Sequence, residues 1–253
     1  MEKFLGARGV SHGKKAYKEH SKARTGNQFQ RVCSLIDAPV KATNIVWHHA
    51  QVTGTQREAL LNQRGGTIWL TGLPSSGKST TAYALELELF KRGFPAYVLD
   101  GDNVRHGLNK DLGFSSVDRA ENIRRVAETA KLFADAGMVV ITSFISPYRV
   151  ERDFARRIHL AAGFRFLEVH IDTPVEVCEG RDPKGHYAKA RAGILKGFTG
   201  VDDPYEAPLC PELVCRTAEI STREIVFRII ECMAKEGFWR DEVGPLALGR
   251  GLR

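Results

Sequence analysis

The sequence predicts a three-layer α/β/α fold in which helices cover both faces of a mainly parallel sheet. Four short and almost continuously apolar runs lie at residues 67–72, 96–102, 138–144 and 164–172. Such runs are typical of strands that are buried on both faces. Segments with helical periodicity alternate with these runs, and this repetition favours right-handed crossovers between parallel strands.

Two long segments between the strands carry an apolar stripe at spacings of three and four residues, which predicts helices. Residues 78–92 form the first, and Gly93 is placed to end it. Residues 118–137 form the second, whose predicted buried face consists of Ile123, Val126, Ala127, Ala130, Phe133 and Ala134.

Two further helices are predicted from their start signals. Ser146 followed by Pro147 suggests a cap and a first turn, because serine accepts backbone N–H groups and proline fits the first helical position. Ser221 and Glu224 have the spacing of a capping box, and they precede an apolar stripe of Ile225, Ile229 and Met233.

The charge is concentrated at the N-terminus. Residues 1–31 contain eight Lys or Arg residues against two acidic residues, which accounts for +6 of the formal net charge of +7. The remaining chain is nearly neutral, so nucleic-acid binding is not expected. A tail that adheres weakly to polyanions, a targeting peptide for a plastid or mitochondrion, and a plain extension remain alternatives for this segment.

The cysteines and the apolar segments indicate a soluble protein of a reducing compartment, for which the cytoplasm is the first expectation. No pair among the five cysteines has the C-x-x-C spacing of a zinc site, and no segment is apolar enough to span or enter a membrane. Redox control through Cys33 is an alternative to a bystander role. The five are Cys33, Cys178, Cys210, Cys215 and Cys232.

The chain is expected to contain one catalytic domain, at residues 41–240, between an N-terminal extension at residues 1–40 and a tail at residues 241–253. Residues 181–208 are rich in glycine, proline and basic residues and have no long apolar face. An irregular segment of this length in a compact domain is usually functional. We therefore predict a lid that closes over a substrate.

A phosphate-binding loop follows the first predicted strand and opens the first predicted helix. Gly72, Gly77, Lys78 and Ser79 match G-x-x-x-x-G-K-[ST], in which backbone N–H groups and the lysine bind phosphates and the hydroxyl binds Mg²⁺. This indicates a P-loop kinase-like fold that binds a nucleoside triphosphate. The N-K-x-D guanine motif is absent, so a small-molecule kinase is favoured over a GTPase.

Acidic and basic residues after the second strand are candidates for binding the acceptor. Asp100 and Asp102 lie where a parallel strand ends beside the phosphate loop, so one could orient a magnesium water shell and the other an attacking hydroxyl. Their order stays open. An Asp-Gly turn with a helix cap at Asp102 is the structural alternative, and Asp102 is expected to cap the helix in either case. Arg105 and Arg119 would bind an anionic acceptor. Arg124 and Arg125 are expected to be ordinary surface residues.

The segment from about residue 41 to residue 237 resembles the adenylylsulfate kinase (APS kinase) family. The matching stretches are IWLTGLPSSGKST, YVLDGDNVRHGLNKDLGFS, DRAENIRRVAETAKLFADAG, TSFISPYRVERDFAR, RDPKGHYAKARAGILKGFTGVDDPYEAP and PELV. The resemblance implies an ATP-dependent kinase of sulfate assimilation. Such a kinase phosphorylates the ribose 3′-hydroxyl of adenosine 5′-phosphosulfate (APS), giving 3′-phosphoadenosine 5′-phosphosulfate and ADP, with Mg²⁺ as cofactor and a homodimer as the expected assembly.

The resemblance also assigns site residues. Lys78, Asp100, Asp102, Ser146 and Lys184 would be catalytic, with Mg²⁺ at Ser79 and Asp100. ATP would contact Gly72, Ser75, Ser76, Gly77, Lys78, Ser79, Thr80 and Arg181. APS would contact Asp102, Asn103, Val104, Arg105, Phe114, Arg119, Asn122, Ile145, Ser146, Lys184, Gly197 and Phe198.

Within this set the two aromatic rings, Phe114 and Phe198, would sandwich the purine of APS. Ser146 is expected to contact substrate, and a phosphoserine intermediate is the alternative. The lid would bring four cations toward the transferred phosphoryl group, namely Lys184, Lys189, Arg191 and Lys196.

Two rival functions have different expected sequence features. A kinase of the same fold acting on a sugar acid or a nucleoside monophosphate should lack the Phe114 and KGFTG pair. A non-catalytic regulator should lack an acid or a lid lysine, whereas Lys78, Asp100, Asp102 and Lys184 are all present.

Overall fold

The computed structural model describes Val40 and residues 42–239. Five parallel strands form one sheet in the order β2-β3-β1-β4-β5. The strands are β1 (Gly66–Thr71), β2 (Ala96–Asp100), β3 (Val139–Ser143), β4 (Arg165–Asp172) and β5 (Leu213–Arg216). The predicted parallel sheet and its first four strands are confirmed. The short strand β5 was not predicted.

Eight helices connect or flank the strands within the described residues. They are α1 (Gly54–Leu61), α2 (Lys78–Lys91), α3 (Gly101–Val104), α4 (Ser116–Asp135), α5 (Arg149–Ala161), α6 (Val175–Arg181), α7 (His186–Arg191) and α8 (Thr222–Lys235). None of these helices combines the length and the apolar character needed to cross a lipid bilayer. The predicted extension up to residue 39 and the predicted tail at residues 241–253, and Cys33 with them, lie outside the described residues.

Helices cover both faces of the sheet. On one face α2 and α8 bury Leu85, Leu89 and Ile229 against Ile68 and Ile141. On the other face α4 and α5 pack against the sheet, and the buried residues of α4 include Ile123, Val126, Ala127, Ala130 and Ala134. The predicted three-layer arrangement is therefore confirmed, although Phe133 is only partly buried.

The predicted helix start at Ser146 and Pro147 is wrong. Helix α5 begins at Arg149, and its N-cap residue Tyr148 makes no capping hydrogen bond through its side chain. Ser146 is buried and has a positive φ of 39°. Its hydroxyl accepts a hydrogen bond from Nε1 of Trp69 at 3.1 Å. Because the hydroxyl is engaged by the core, it does not cap the helix.

The other predicted start is confirmed in part. Oγ of Ser221 accepts from the backbone N–H of Glu224 at 3.2 Å and caps α8. The Glu224 carboxylate accepts from Nε of Arg228 at 2.9 Å. The capping residue was therefore predicted correctly, whereas the glutamate takes part in a salt bridge along the helix.

The predicted lid segment, residues 181–208, is more ordered than its sequence suggests. It contains α7 and a small apolar cluster in which Tyr187, Ala190 and Phe198 pack with Cys178 of α6. The segment lacks a long apolar face because the cluster combines a few residues of α6, α7 and the end of the lid rather than one continuous helix. Its buried residues therefore have no single period in the sequence.

The Arg152 side chain connects three segments around the C-terminal edge of the sheet. Its guanidinium donates to Oε1 of Glu168 on β4, to the carbonyl of Ser146 and to the carbonyl of Glu206, each at 2.6 Å. Arg152 and Glu168 are both buried. Arg156 adds contacts to Glu168 and Glu212.

Replacing Arg152 with methionine should lower the free energy of unfolding by about 3 kcal/mol, because a buried carboxylate and two carbonyls lose their donor. Urea denaturation measures this change. Arg228→Met, in the exposed pair with Glu224, is the control and should cost less than about 0.5 kcal/mol. Equal losses in both variants would contradict the structural role of Arg152.

Buried His159 should make stability depend on pH. Its ring nitrogens lie 2.9 Å from Oγ1 of Thr67 and 2.7 Å from the carbonyl of Ala155. Burial, with a smaller contribution from Lys131, lowers the pKa of His159 to about 4, although the Ala155 hydrogen bond and Glu128 oppose the shift. The unfolded state therefore binds the proton more readily, and stability that is present above about pH 6.5 is lost as the pH falls toward 4.

From this pKa difference we expect the free energy of unfolding to fall between pH 7 and pH 5 by about 2 kcal/mol more in the wild-type protein than in His159→Gln. Urea denaturation of both proteins at the two pH values measures the difference. Identical pH dependence would show that His159 is not responsible.

Candidate active site

A cleft of about 1020 Å³ lies at the C-terminal edge of strands β1, β2 and β3. The phosphate loop, α3, the start of α4 and the loop after β3 form its inner walls. The lid and the segment between β5 and α8 form the outer side. The C-terminal edge of an open parallel sheet is the usual place for a ligand site, so the predicted residues are brought to one location.

The phosphate loop has the backbone geometry that its sequence predicts. Gly77 has a φ of 104° and lies directly before α2, and a side chain at Gly72 would approach the carbonyl oxygen of Ile171 to 2.5 Å. Glycine is therefore required at Gly72 for space and at Gly77 for conformation. The N-terminus of α2 faces the cleft and provides unpaired N–H groups for an anion.

Lys78 is held inside this loop. Its Nζ donates to the carbonyls of Leu73 at 2.7 Å and Gly72 at 3.1 Å. Burial lowers the pKa of Lys78 to about 8, although Cys178, Asp100 and Asp102 oppose the shift. A polyphosphate in the loop would favour the charged amine, because nearby negative charge raises the pKa of a lysine.

A cluster of oxygen donors lies next to the loop. Oγ of Ser79 donates to Oδ2 of Asp100 at 2.7 Å and lies 3.1 Å from Oγ of Ser143. Carboxylate and hydroxyl oxygens are hard ligands and fit Mg²⁺. Ser143 was not predicted, although it ends β3 opposite Asp100 in the strand register. The position of Ser143 at the end of a predicted strand, at the same sheet edge as Asp100, is the sequence feature that could have identified it.

The two acidic residues after β2 lie in different environments. Asp100 is buried, and its Oδ1 accepts from the backbone N–H of Asp102 at 3.0 Å. Asp100 is therefore the cap of α3, and the expectation that Asp102 caps is wrong. The Asp102 side chain is 66% exposed and forms an ion pair with Lys184 of the lid.

The wall beyond α3 carries Arg105 and Phe114. Arg105 donates to the carbonyls of Leu112 and Gly113, both at 3.0 Å, and its guanidinium lies 4.4 Å from the centre of the Phe114 ring. The Phe114 ring is 72% exposed and lines the cleft. An exposed aromatic ring in a cleft offers a stacking surface for a planar ligand.

Arg119 joins this wall to the end of the lid. Its Nε donates to the carbonyl of Phe114 at 3.0 Å, and its Nη2 donates to the carbonyl of Gly197 at 2.5 Å. Phe198 is buried and packs edge-on against Tyr187, with ring centres 4.9 Å apart, while it also lines the cleft. Both predicted aromatic residues therefore border one cavity.

Asn103 and Asn122 are held by neighbouring polar groups. Asn103 donates from Nδ2 to the hydroxyl of Tyr83 at 2.9 Å, and Tyr83 is a cleft residue that was not predicted. Buried Asn122 accepts from Nδ2 of Asn109 at 3.0 Å through its Oδ1. These contacts fix both amides at the cleft.

The two arginines on α4 that were expected to be surface residues form ion pairs away from the cleft. Arg124 pairs with Glu121, whereas Arg125 pairs with both Glu121 and Asp111. Neither arginine lines the cavity. Their surface role is therefore supported by the geometry.

Arg181 packs beside the phosphate loop. It donates to the carbonyl of Ser76 at 3.2 Å and to Oγ1 of Thr217 at 3.0 Å. Thr217 also donates to the carbonyl of Ser76 at 2.9 Å. Four residues of this outer part of the cleft were not predicted as site residues, namely Thr217, Ile220, Thr222 and Ile225. These residues follow strand β5, and that strand gave no recognised sequence signal.

Most of the predicted site residues line the cleft, including Ser75, Gly77, Ser79, Thr80, Ile145, Ser146 and Gly197. Gly72, Ser76 and Val104 do not. Gly72 and Ser76 accept hydrogen bonds from Nζ of Lys78. Val104 packs against the apolar cluster that includes residues of α4. Of the predicted lid cations, Lys184, Lys189 and Lys196 line the cleft, whereas Arg191 pairs with Glu179 and points elsewhere.

Comparison with known proteins identifies related sequences. Residues 64–216 match the family model described as adenylylsulphate kinase. An adenylyl-sulfate kinase of Saccharomyces cerevisiae is 57% identical over 195 residues, which cover 77% of this chain and 96% of that protein. The chloroplastic adenylyl-sulfate kinase 1 of Arabidopsis thaliana is 49% identical over 234 residues, covering 92% and 84%.

Solved structures have the same fold. The Mycobacterium tuberculosis APS kinase CysC in complex with AMPPNP and APS has a TM-score of 0.66 and 51% identity, covering 68% of this chain and 98% of that one. The hexameric APS kinase of Thiobacillus denitrificans has a TM-score of 0.55 and 29% identity, covering 85% of this chain and 38% of that one. The chain described here belongs to the adenylylsulphate kinase family.

Proposed function

We propose that the protein transfers the γ-phosphate of MgATP to the ribose 3′-hydroxyl of APS, giving 3′-phosphoadenosine 5′-phosphosulfate and ADP. The observation that carries this proposal is that one cleft contains the phosphate loop, the exposed carboxylate of Asp102 and the wall with Arg105 and Phe114. The M. tuberculosis relative binds AMPPNP and APS, which supports the same pair of ligands here.

The phosphate loop and α2 bind the triphosphate. Backbone N–H groups at the start of α2 attract phosphate oxygens, and Lys78 supplies a full positive charge beside them. Lys78 must exchange its contacts with the Gly72 and Leu73 carbonyls for phosphate oxygens. Ser79 and Asp100 would hold Mg²⁺, which when bound neutralises charge on the phosphate oxygens.

Asp102 orients the attacking hydroxyl. The Asp100 carboxylate accepts hydrogen bonds from Ser79 and from the backbone N–H of Asp102. Asp100 is therefore the better candidate for binding the cation. Asp102 is exposed to the cleft and can accept the proton of the 3′-hydroxyl. As that oxygen bonds to the γ-phosphorus, the bond to the β-phosphate oxygen breaks and ADP leaves.

Lid cations complete the site. Lys184 pairs with Asp102, and Lys189 and Lys196 line the same cavity. When a triphosphate enters, its oxygens compete with Asp102 for Lys184. A lysine that moves to the phosphoryl group would stabilise negative charge there and leave Asp102 available to the acceptor.

Ser146 lines the cleft, but its polar groups are held by the core. Its hydroxyl is buried and accepts from Trp69, and its carbonyl accepts from Arg152. A nucleophilic hydroxyl must reach the γ-phosphate, whereas this one is directed into the core. The geometry therefore favours direct transfer to the acceptor over a phosphoserine intermediate.

A homodimer remains the expected assembly from the family resemblance, although one relative is a hexamer. The cytoplasm remains the first expectation for location. Targeting to a plastid or mitochondrion is the alternative for the basic extension, and the Arabidopsis relative is chloroplastic.

A coupled assay of ADP release tests the activity. With MgATP, we expect turnover with APS and none above background with AMP, gluconate or no acceptor. Asp102→Ala should lower kcat by about 10² to 10⁴-fold, because the hydroxyl loses its proton acceptor.

Glu219→Ala is the matched control, since Glu219 is an exposed acid outside the cleft, and its kcat should match wild type. Equal rates with every acceptor would contradict the proposed substrate. Unchanged kcat in Asp102→Ala would contradict the proposed role of that carboxylate.

Ser79→Ala should weaken the dependence of ATP binding on magnesium. We expect the gain in ATP affinity on adding Mg²⁺ to fall about tenfold or more, because a predicted ligand is removed. Calorimetric titration of ATP with and without Mg²⁺ measures this gain. The affinity without Mg²⁺ should stay within about twofold of wild type, and an unchanged gain would exclude Ser79 as a ligand.

A further inference from the structure

The Asp203 side chain joins the end of the lid to two fixed parts of the domain. Its Oδ2 accepts from Nη1 of Arg119 on α4 at 3.3 Å. The Tyr148 hydroxyl, at the entrance to α5, lies 2.7 Å from Oδ2 and 2.9 Å from Oδ1. One carboxylate therefore contacts the helix that carries the acceptor wall and the loop that carries Ser146.

The segment at residues 197–203, which we call the Phe198 turn, is closed by its own hydrogen bonds. The Asp202 carboxylate accepts from the N–H groups of Gly197 at 2.7 Å and Phe198 at 2.6 Å. The backbone of Asp203 accepts from Gly200 at 2.8 Å and donates to Phe198 at 3.1 Å. The turn is therefore a compact unit, and its side-chain links to the domain, together with the packing of Phe198 against Tyr187, fix where Phe198 lies.

Arg119 makes most of those links. Besides Asp203, it donates to Gly197 O at 2.5 Å and to Oγ1 of Thr199 at 3.2 Å, while its Nε holds the carbonyl of Phe114. The guanidinium thus fixes both candidate aromatic walls with respect to each other. Asp203 is the acidic residue that pairs with it, so this carboxylate balances the charge and fixes the plane of the guanidinium.

The burial of these groups distinguishes them from the rest of the lid. The side chains of Arg119 and Asp203 are 18% and 19% exposed, and Tyr148 is buried. The Lys184 and Asp102 side chains are 55% and 66% exposed. Water and salt screen the second pair far more than the first. The Phe198 turn is therefore held more firmly than the segment around Lys184.

We infer that Asp203 is a positioning residue for the acceptor subsite, which holds Arg119 and the Phe198 turn as a preformed wall. This inference rests on the proposed function, because it assigns the wall to the nucleotide acceptor. Asp203 need not touch the acceptor. Its removal should weaken acceptor binding through Arg119 and Phe198 while the ATP side of the cleft is unaffected.

Steady-state kinetics of Asp203→Asn test the inference. We expect the KM for APS to rise about tenfold, corresponding to the loss of one charge-assisted contact, with the KM for ATP within about twofold of wild type. Asp111→Asn is the matched control, because it removes an acid paired with another arginine of α4 outside the cleft. That variant should retain both KM values.

Tyr148→Phe provides a second variant that preserves the aromatic packing. Removing its hydroxyl should raise the KM for APS about threefold, a smaller change than that of a charged group. In the double variant the increase should be less than the product of the two single increases, because both changes remove the same contact. A fully multiplicative result would overturn the proposed linkage.

Hydrogen exchange in the ligand-free protein separates this inference from the proposed function. Amides of residues 197–203 should exchange faster in Asp203→Asn than in wild type and Asp111→Asn. If wild-type protein does not turn over APS, the proposed function fails, and exchange alone decides whether Asp203 holds the turn. Unchanged exchange in Asp203→Asn would overturn the inference. An unchanged KM for APS in this variant would also overturn it, provided that the wild-type protein turns over APS.

Discussion

The cleft depends on the buried guanidinium of Arg152. This group contacts a strand, the loop that carries Ser146 and the end of the lid, through Glu168, Ser146 and Glu206. Burial of such a charge is unfavourable unless every donor is satisfied, so the three partners and the arginine require each other. The positive φ of Ser146 is stable in this setting because Trp69 and Arg152 hold the residue from two sides. The loop after β3, which is one part of the inner wall of the cleft, is therefore held in place by the core.

The two acids after β2 illustrate how environment separates residues that the sequence presents as equivalent. Asp100 ends its strand, so Ser79 and the backbone N–H of Asp102 surround its carboxylate. Asp102 lies in the first turn of α3 and faces the cleft, where it pairs with Lys184 of the lid. A carboxylate fixed by hydrogen bonds is suited to a cation, whereas an accessible one is suited to a proton. The different roles proposed for Asp100 and Asp102 follow from these different environments.

Features with local signals could be predicted from the sequence. The four longer strands, helices α2 and α4, the phosphate loop and the cap at Ser221 each depend on neighbouring residues, and the structure contains all of them. Strand β5 has four residues and partly exposed positions, so its apolar signal was weak. The prediction of a cap at Ser146 is wrong because Ser146 is held by Trp69 and Arg152, which are 77 and 6 residues away in the chain. The roles of Ser143 and Asp203 also depend on contacts between distant segments.

The lid combines two kinds of ionic contact, and their difference has a mechanistic consequence. A catalytic lid must exclude water when closed and release product when open, so its attachments cannot all be strong. The mostly buried contacts of Asp203 hold the Phe198 turn, whereas the exposed contact between Lys184 and Asp102 is screened by water and is therefore weak. On the proposed mechanism, the segment around Lys184 is the part of the lid that would move during closure. If the Phe198 turn is preformed as proposed, acceptor binding would not have to bear the entropic cost of ordering it.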